Sequence, residues 1–136
     1  MAVSMQVDIV SAEGEIFSGK AEMLYAQAAD GEVGVMPHHT QFLSSLKPGP
    51  VRVVSGDEES HFYINSGIIE IQPSVVTVLA DAAVRAADLD EQGAEEARRN
   101  AEEQIANPSG DFDHKAAALQ LEEALAQLKL IQQLRK

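Results

Sequence analysis

From Met5 to Ala80 the apolar residues come in short runs with a period near two. Gln6 to Val10, Glu22 to Ala28, Val51 to Val54, His61 to Ile64, Ile68 to Ile71 and Val75 to Ala80 read as β-strands. Glycine and proline punctuate these runs at Glu13-Gly14, Ser18-Gly19, Asp30-Gly31, Lys47-Pro48-Gly49, Ser55-Gly56-Asp57, Asn65-Ser66-Gly67 and Gln72-Pro73-Ser74. Many short strands with close turn signals are the signature of an all-β sandwich or barrel. Asp30-Gly31 suits a type I′ hairpin turn, and Pro48-Gly49 suits the central positions of a type II turn. The run Val75 to Ala80 is apolar on both faces. Such a strand either sits in a tight core or packs on the opposite sheet with one face and on a partner with the other.

Between Asp81 and Gly93 the period changes from two to between three and four. Asp88 and Asp90 offer N-cap carboxylates directly behind the last strand. From Leu89 to Ile105, Ala94, Ala97, Ala101 and Ile105 fall on one helical face, and Glu95, Arg99 and Glu103 form an i,i+4 ladder on another. The stretch Asn107-Pro108-Ser109-Gly110-Asp111 breaks that helix. From Asp113 to Leu134, Ala117, Leu121, Ala124, Leu125, Leu128 and Ile131 mark a second amphipathic helix. The predicted fold is therefore a β-sandwich over residues 1–86, followed by an antiparallel two-helix hairpin over residues 87–136. An alanine seam buries little apolar area, so at roughly 25 cal/mol per Å² the two helices associate weakly. Gly93 adds a helix penalty of about 1 kcal/mol relative to alanine. Asp88 and Gly93 thus flank the expected hinge.

Charge and composition narrow the function classes. The chain carries 22 acidic against 10 basic residues, a formal charge of -12. That argues against nucleic acid or an anionic lipid surface as a direct ligand. It has no cysteine, hence no disulfide framework and no thiolate metal site. No apolar run reaches the roughly 20 residues of a membrane span, and the first residues lack a signal-peptide pattern. A cytosolic protein without direct membrane insertion is expected. No nucleophile, base and orienter stand out together, and no Gly-rich phosphate loop precedes a lysine. His38 and His39, if extended, point to opposite faces and do not share a metal. No cofactor and no catalytic residue are expected. Lys129, Arg135 and Lys136 complement the negative end of the second helix.

The stretch Gly31-Glu32-Val33-Gly34-Val35-Met36-Pro37-His38-His39 is the most distinctive local motif. Taken with Val10-Ser11-Ala12-Glu13, Phe17-Ser18-Gly19, Leu46-Lys47-Pro48-Gly49, Gly67-Ile68-Ile69-Glu70 and Val76 to Asp81, it resembles the epsilon subunit of the bacterial F-type, proton-translocating ATP synthase. The resemblance runs in order from Met5 to the end of the chain. It implies a β-sandwich of about ten short strands, in two packed sheets, and a C-terminal helix pair. It also implies a non-catalytic rotor subunit, peripheral on the cytoplasmic face of the cell membrane. The sandwich would bind the gamma subunit and the polar loops of the c-ring. The helices would extend toward the alpha and beta subunits and restrain ATP hydrolysis.

Residue by residue, the resemblance implies that Glu32 meets the c-ring loops; on its own, Glu32 reads as a solvated turn carboxylate. It makes His39 a gamma contact, where the plain reading is a structural residue. Gln41 replaces a proline common in the family. Lys129, Arg135 and Lys136 would meet an acidic segment of the catalytic head. A second helix of about 22 residues spans roughly 33 Å when released. Some family members bind ATP through Ile/Leu-Asp-x-x-Arg-Ala. Here Leu89, Asp90, Gly93 and Ala94 stand at those positions, with glycine in place of arginine. Arg98 and Arg99 replace it only in part, because Glu95, Glu102 and Glu103 compete for them. Weak or absent ATP binding is expected, which disfavours the alternative of a nucleotide-sensing module.

Overall fold

The computed structural model describes residues 3–108 and 113–135. The chain divides into two compact units, Met1–Ala87 and Asp88–Lys136. The first contains ten strands: β1 (Met5–Ser11), β2 (Gly14–Ala21), β3 (Met23–Ala28), β4 (Gly31–Val35), β5 (Phe42–Leu46), β6 (Gly49–Ser55), β7 (Glu58–Ile64), β8 (Gly67–Ile71), β9 (Val75–Ala80) and β10 (Ala83–Arg85). Their order is β10-β7-β6-β3-β5-β8-β9-β1-β2, with β4 added to β3. All pairs are antiparallel except β1 with β9.

Strand β3 turns one sheet into two packed layers. Its first residues pair with β6, from Met23↔Val54 to Tyr25↔Arg52, while Ala28 pairs with Leu46 of β5. Alternation then selects the core. In β1, Met5, Val7 and Ile9 point inward while Gln6, Asp8 and Val10 point outward. Leu24, Val35, Val51, Phe62, Ile69, Ile71, Val76 and Val78 complete the buried interior. The two ends of the strand order meet at a seam. There the Arg85 guanidinium donates to the Ile16 carbonyl at 3.4 Å and lies 5.5 Å from the Phe62 ring centroid. Phe62 in turn meets Phe17 edge-on at 5.6 Å.

Four strands, β2, β4, β5 and β10, lie outside the runs read from periodicity. β2, β4 and β5 show mostly exposed or half-buried side chains, so their sequences need no apolar alternation. Two turn expectations are corrected. Ala28 pairs with Gly31, so Ala29 and Asp30 are the central turn residues, and neither has positive φ as type I′ requires. Gly49 is the first residue of β6 and also has no positive φ, which excludes type II with glycine at its third position. A glycine suits Gly49 because a Cβ there would lie 3.0 Å from Gln27 Cγ.

The stretch Asp81 to Gly93 is more ordered than a bare joint. β10 pairs with β7, a 3₁₀ turn covers Ala86–Asp88, and Asp90 caps the next helix. In the second unit, α1 runs Glu91–Ala106 and α2 runs His114–Leu134, and the two pack against each other. The Asp113 carboxylate accepts from the Ala116 amide at 3.1 Å and starts α2. Ala94, Ala101, Ala117, Ala124 and Leu130 are the buried residues of the hairpin. The predicted ladder shifts by one residue. Arg98, not Arg99, donates to Glu95 and Glu102, each at 2.8 Å. Both registers satisfy helical spacing, so sequence alone does not choose between them. Ser109, Gly110 and Asp111 of the predicted break lie outside the described residues.

Candidate interaction surfaces

The hairpin tip between β3 and β4 carries Glu32. Gly31 has a φ of 132°, open to glycine, and lets the chain reverse there. Glu32 pairs across the strands with Gln27, whose Nε2 donates to Glu32 Oε2 at 3.0 Å. The carboxylate is thus exposed but held. Gly34, the second glycine of the motif, serves a close approach. A Cβ there would stand 3.3 Å from the Tyr25 ring, whose centroid lies 4.2 Å from the Arg52 guanidinium carbon.

His38 and His39 do not lie on an extended segment. The His39 amide donates to the Met36 carbonyl at 3.2 Å, and His38 has a φ of 66°. Proline at the second turn position and positive φ at the third is the type II arrangement. The His38 amide donates to the Pro73 carbonyl at 2.8 Å, tying this turn to the one between β8 and β9. His39 Nδ1 lies 2.6 Å from the Thr40 carbonyl oxygen, so that nitrogen carries the proton in the neutral ring. Among the described residues no group of three His, Asp or Glu side chains is placed to hold a metal.

Beside the histidine turn, the outer face of β5, β8 and β9 exposes large apolar side chains. Leu43 is 67 %, Leu79 51 % and Ile68 46 % exposed. The register aligns them: Ile68 pairs with Leu79, and Leu43 pairs with Glu70. A cleft of about 320 Å³ opens at one end, lined by Gln41, Phe42, Leu43, Glu70, Ile71 and Gln72. Sequence alone does not single out Leu43, and it places Ile68 and Glu70 only within a strand run and a motif, with no surface role. The available signal was the Val75 to Ala80 run, whose inward residues Val76, Val78 and Ala80 are buried while Leu79 is exposed. Further along this face, Asp8 accepts from Gln6 Nε2 at 2.9 Å and Ser18 Oγ at 2.8 Å. These two hydrogen bonds, Gln6 first, hold its carboxyl below the ordinary aspartate value.

On the helical unit, the degenerate nucleotide motif is used for capping. Asp90 is the N-cap of α1, and its Oδ1 accepts from the Gly93 amide at 3.1 Å. Gly93, expected at a hinge, lies within the first helical turn. Leu89 is half-buried and Ala94 buried. Arg98 is occupied by Glu95 and Glu102, which raise its pKa further. Arg99 is exposed. Arg135, at the end of α2, donates to the Glu91 carboxylate in the first turn of α1. Lys129 is exposed, and Asp88 sits in the 3₁₀ turn; Lys136 lies outside the described residues. None of the described helices is long and apolar enough to cross a membrane.

Comparison with known proteins covers the whole of this arrangement. The family described as ATP synthase, Delta/Epsilon chain, beta-sandwich domain matches residues 4–86. Its companion, the long alpha-helix domain of the same chain, matches residues 87–132. The chain is 64 % identical over 135 residues to the ATP synthase epsilon chain of Hydrogenovibrio crunogenus, covering 99 % of this chain and 94 % of that one. It is 53 % identical over 137 residues to ATP synthase epsilon chain 1 of Methylococcus capsulatus, covering 100 % and 98 %. Among solved structures, a chain of the Euglena gracilis mitochondrial ATP synthase shares the fold with a TM-score of 0.79 at 19 % identity, covering 98 % of this chain and 82 % of that one.

Proposed function

The chain belongs to the ATP synthase delta/epsilon family, and from that premise we propose how its two units divide the work of a central-stalk subunit. It is a rotor subunit of an F-type ATP synthase; the observation that carries this is the unbroken match of both domains at high identity. In the proposed division the sandwich docks and the hairpin regulates. The subunit breaks no bond itself and sits peripherally on the cytoplasmic side of the membrane.

The proposed gamma-facing surface is the outer face of β5, β8 and β9 with the adjoining His39 turn. Its exposed Leu43, Ile68 and Leu79 support this reading, because aligned apolar side chains on a sheet face gain by being covered. Glu32, exposed at a hairpin tip and steadied by Gln27, is the proposed contact for the polar loops of the c-ring. The helical hairpin is the proposed brake on ATP hydrolysis, leaving its closed form to meet the alpha and beta subunits. Lys129 and Arg135 would then face the catalytic head, Arg135 after giving up Glu91. Asp88, at the end of the 3₁₀ turn, and Gly93, in the first turn of α1, bracket the proposed hinge. ATP is not a proposed ligand, since Gly93 brings no guanidinium and Arg98 is already paired.

Binding to isolated gamma tests the rotor reading. The full chain is expected to form a complex at micromolar concentration, detected by co-elution. Failure to bind contradicts the assignment of the sandwich face.

A further inference from the structure

The sheet face proposed to meet gamma is not uniformly apolar. Glu70 stands in the middle of it, paired across β5 with Leu43 and flanked along its own strand by Ile68. It also lines the cleft, together with Phe42, which is 41 % exposed. Among the described residues it accepts one long hydrogen bond, from Gln72 Nε2 at 3.3 Å, and no cation reaches it. Asp8 lies two strands further along the same cross-strand row, by way of Thr77, roughly 10 Å away at the usual strand spacing.

A partner that covers Leu43, Ile68 and Leu79 must also strip water from Glu70. Covering an ionised carboxylate without a counter-charge opposes binding, whereas a cation with hydrogen bonds offsets the loss. An apolar partner alone therefore fits this surface poorly. The cleft offers what a long basic side chain needs: a carboxylate for its head and the apolar walls of Phe42 and Leu43 for its stem. Arginine fits best, because its planar group forks onto a carboxylate through two parallel hydrogen bonds.

Resting on the reading that this face meets gamma, we infer that Glu70 and its cleft form a receptor for one basic side chain, an arginine in the best fit, projecting from an apolar patch of gamma. The chain's net charge of -12 adds long-range attraction to such a patch. The cleft supplies register, fixing where along the sheet the partner sits.

The test is titration of gamma with the full chain at low and high salt, for wild type, Glu70→Gln, Glu70→Lys and Leu79→Asp, with each variant's fold checked by thermal melting. Glu70→Gln is expected to weaken binding roughly tenfold and to flatten its salt dependence, and Glu70→Lys to weaken it roughly a hundredfold. Leu79→Asp is expected to abolish binding by placing an unpaired charge in the apolar contact. If Leu79→Asp abolishes binding but both Glu70 variants bind as wild type or tighter, the receptor is overturned while the docking face stands. If Leu79→Asp also binds as wild type, the docking face itself falls and the receptor with it.

Discussion

The sandwich and the hairpin are built from opposite materials. The first fills its interior with branched aliphatic side chains and the Phe62 ring, all but excluded from water. In the second, the two helices bury four alanines and one leucine among the described residues. At roughly 25 cal/mol per Å², each buried isoleucine or phenylalanine contributes several times what an alanine does. Charge is handled differently as well. In the sandwich, Asp8 is ringed by two donors and its pKa falls. In the hairpin, burial pushes the Glu123 carboxyl up, with neighbouring Glu122 adding to it. The helices rely instead on caps and on solvent-screened ion pairs such as Arg98 with Glu95 and Glu102, which contribute little. The first unit has the larger apolar core and the second the smaller. That contrast suits the proposed division into a docking domain and a releasable brake.

The largest effect should come from the platform. Phe62→Ala removes the ring that joins Phe17 and Arg85 at the sandwich seam, and is expected to cost about 3–5 kcal/mol in urea unfolding. A loss near zero would mean that the seam is not a structural closure. In the hairpin, Ala101→Leu forces a larger side chain into a fully buried position, so helical content should melt earlier by about 1–3 kcal/mol. An unchanged helical melt would show that the seam is loose.

Gly93→Ala is expected to do less than helix propensity suggests. Propensity favours alanine by about 1 kcal/mol, but the new Cβ would stand 2.7 Å from Asp90 Oδ2 and displace the cap. Loss of an N-cap costs about 1 kcal/mol, so the net change in the helical melt should be small. A full gain of propensity would show that the cap yields freely.

The smallest effect concerns Asp8. A carboxylate with depressed pKa contributes stability above its unfolded pKa, near 3.9, and loses it as pH falls through the lower folded value. Ser18→Ala should therefore destabilise the sandwich slightly at neutral pH, by roughly a few tenths of a kcal/mol, because solvent screens so exposed a pair. The difference from wild type should vanish in strong acid. A pH-independent difference would place the effect in packing instead.

Much of this division was legible in the chain itself. The six apolar runs are strands, and both helices lie where the longer period begins. Of the two offered caps, Asp90 is one while Asp88 belongs to the 3₁₀ turn. Asp113, the cap of α2, is legible from sequence only as that helix's start. What escaped was decided by pairing. β2, β4 and β5 are held by their neighbours' backbones, and β10 is only three residues long. The Ala29-Asp30 turn follows from register between β3 and β4. The choice of Arg98 over Arg99 depends on which rotamers the helix surface allows. The proposed docking face was half visible, because the Val75 to Ala80 run is apolar on both faces and so leaves Leu79 an apolar outer position in β9. Leu43 and Ile68 join it only once the strand order brings β5 and β8 alongside.

The most direct test removes one unit and asks which activity leaves with it. Synthase depleted of this subunit should be reconstituted with either the full chain or residues 1–88, and ATP hydrolysis measured alongside gamma binding. The account predicts that residues 1–88 bind gamma as the full chain does, while hydrolysis rises to the level of the depleted enzyme. Hydrolysis held as low by residues 1–88 as by the full chain would contradict it.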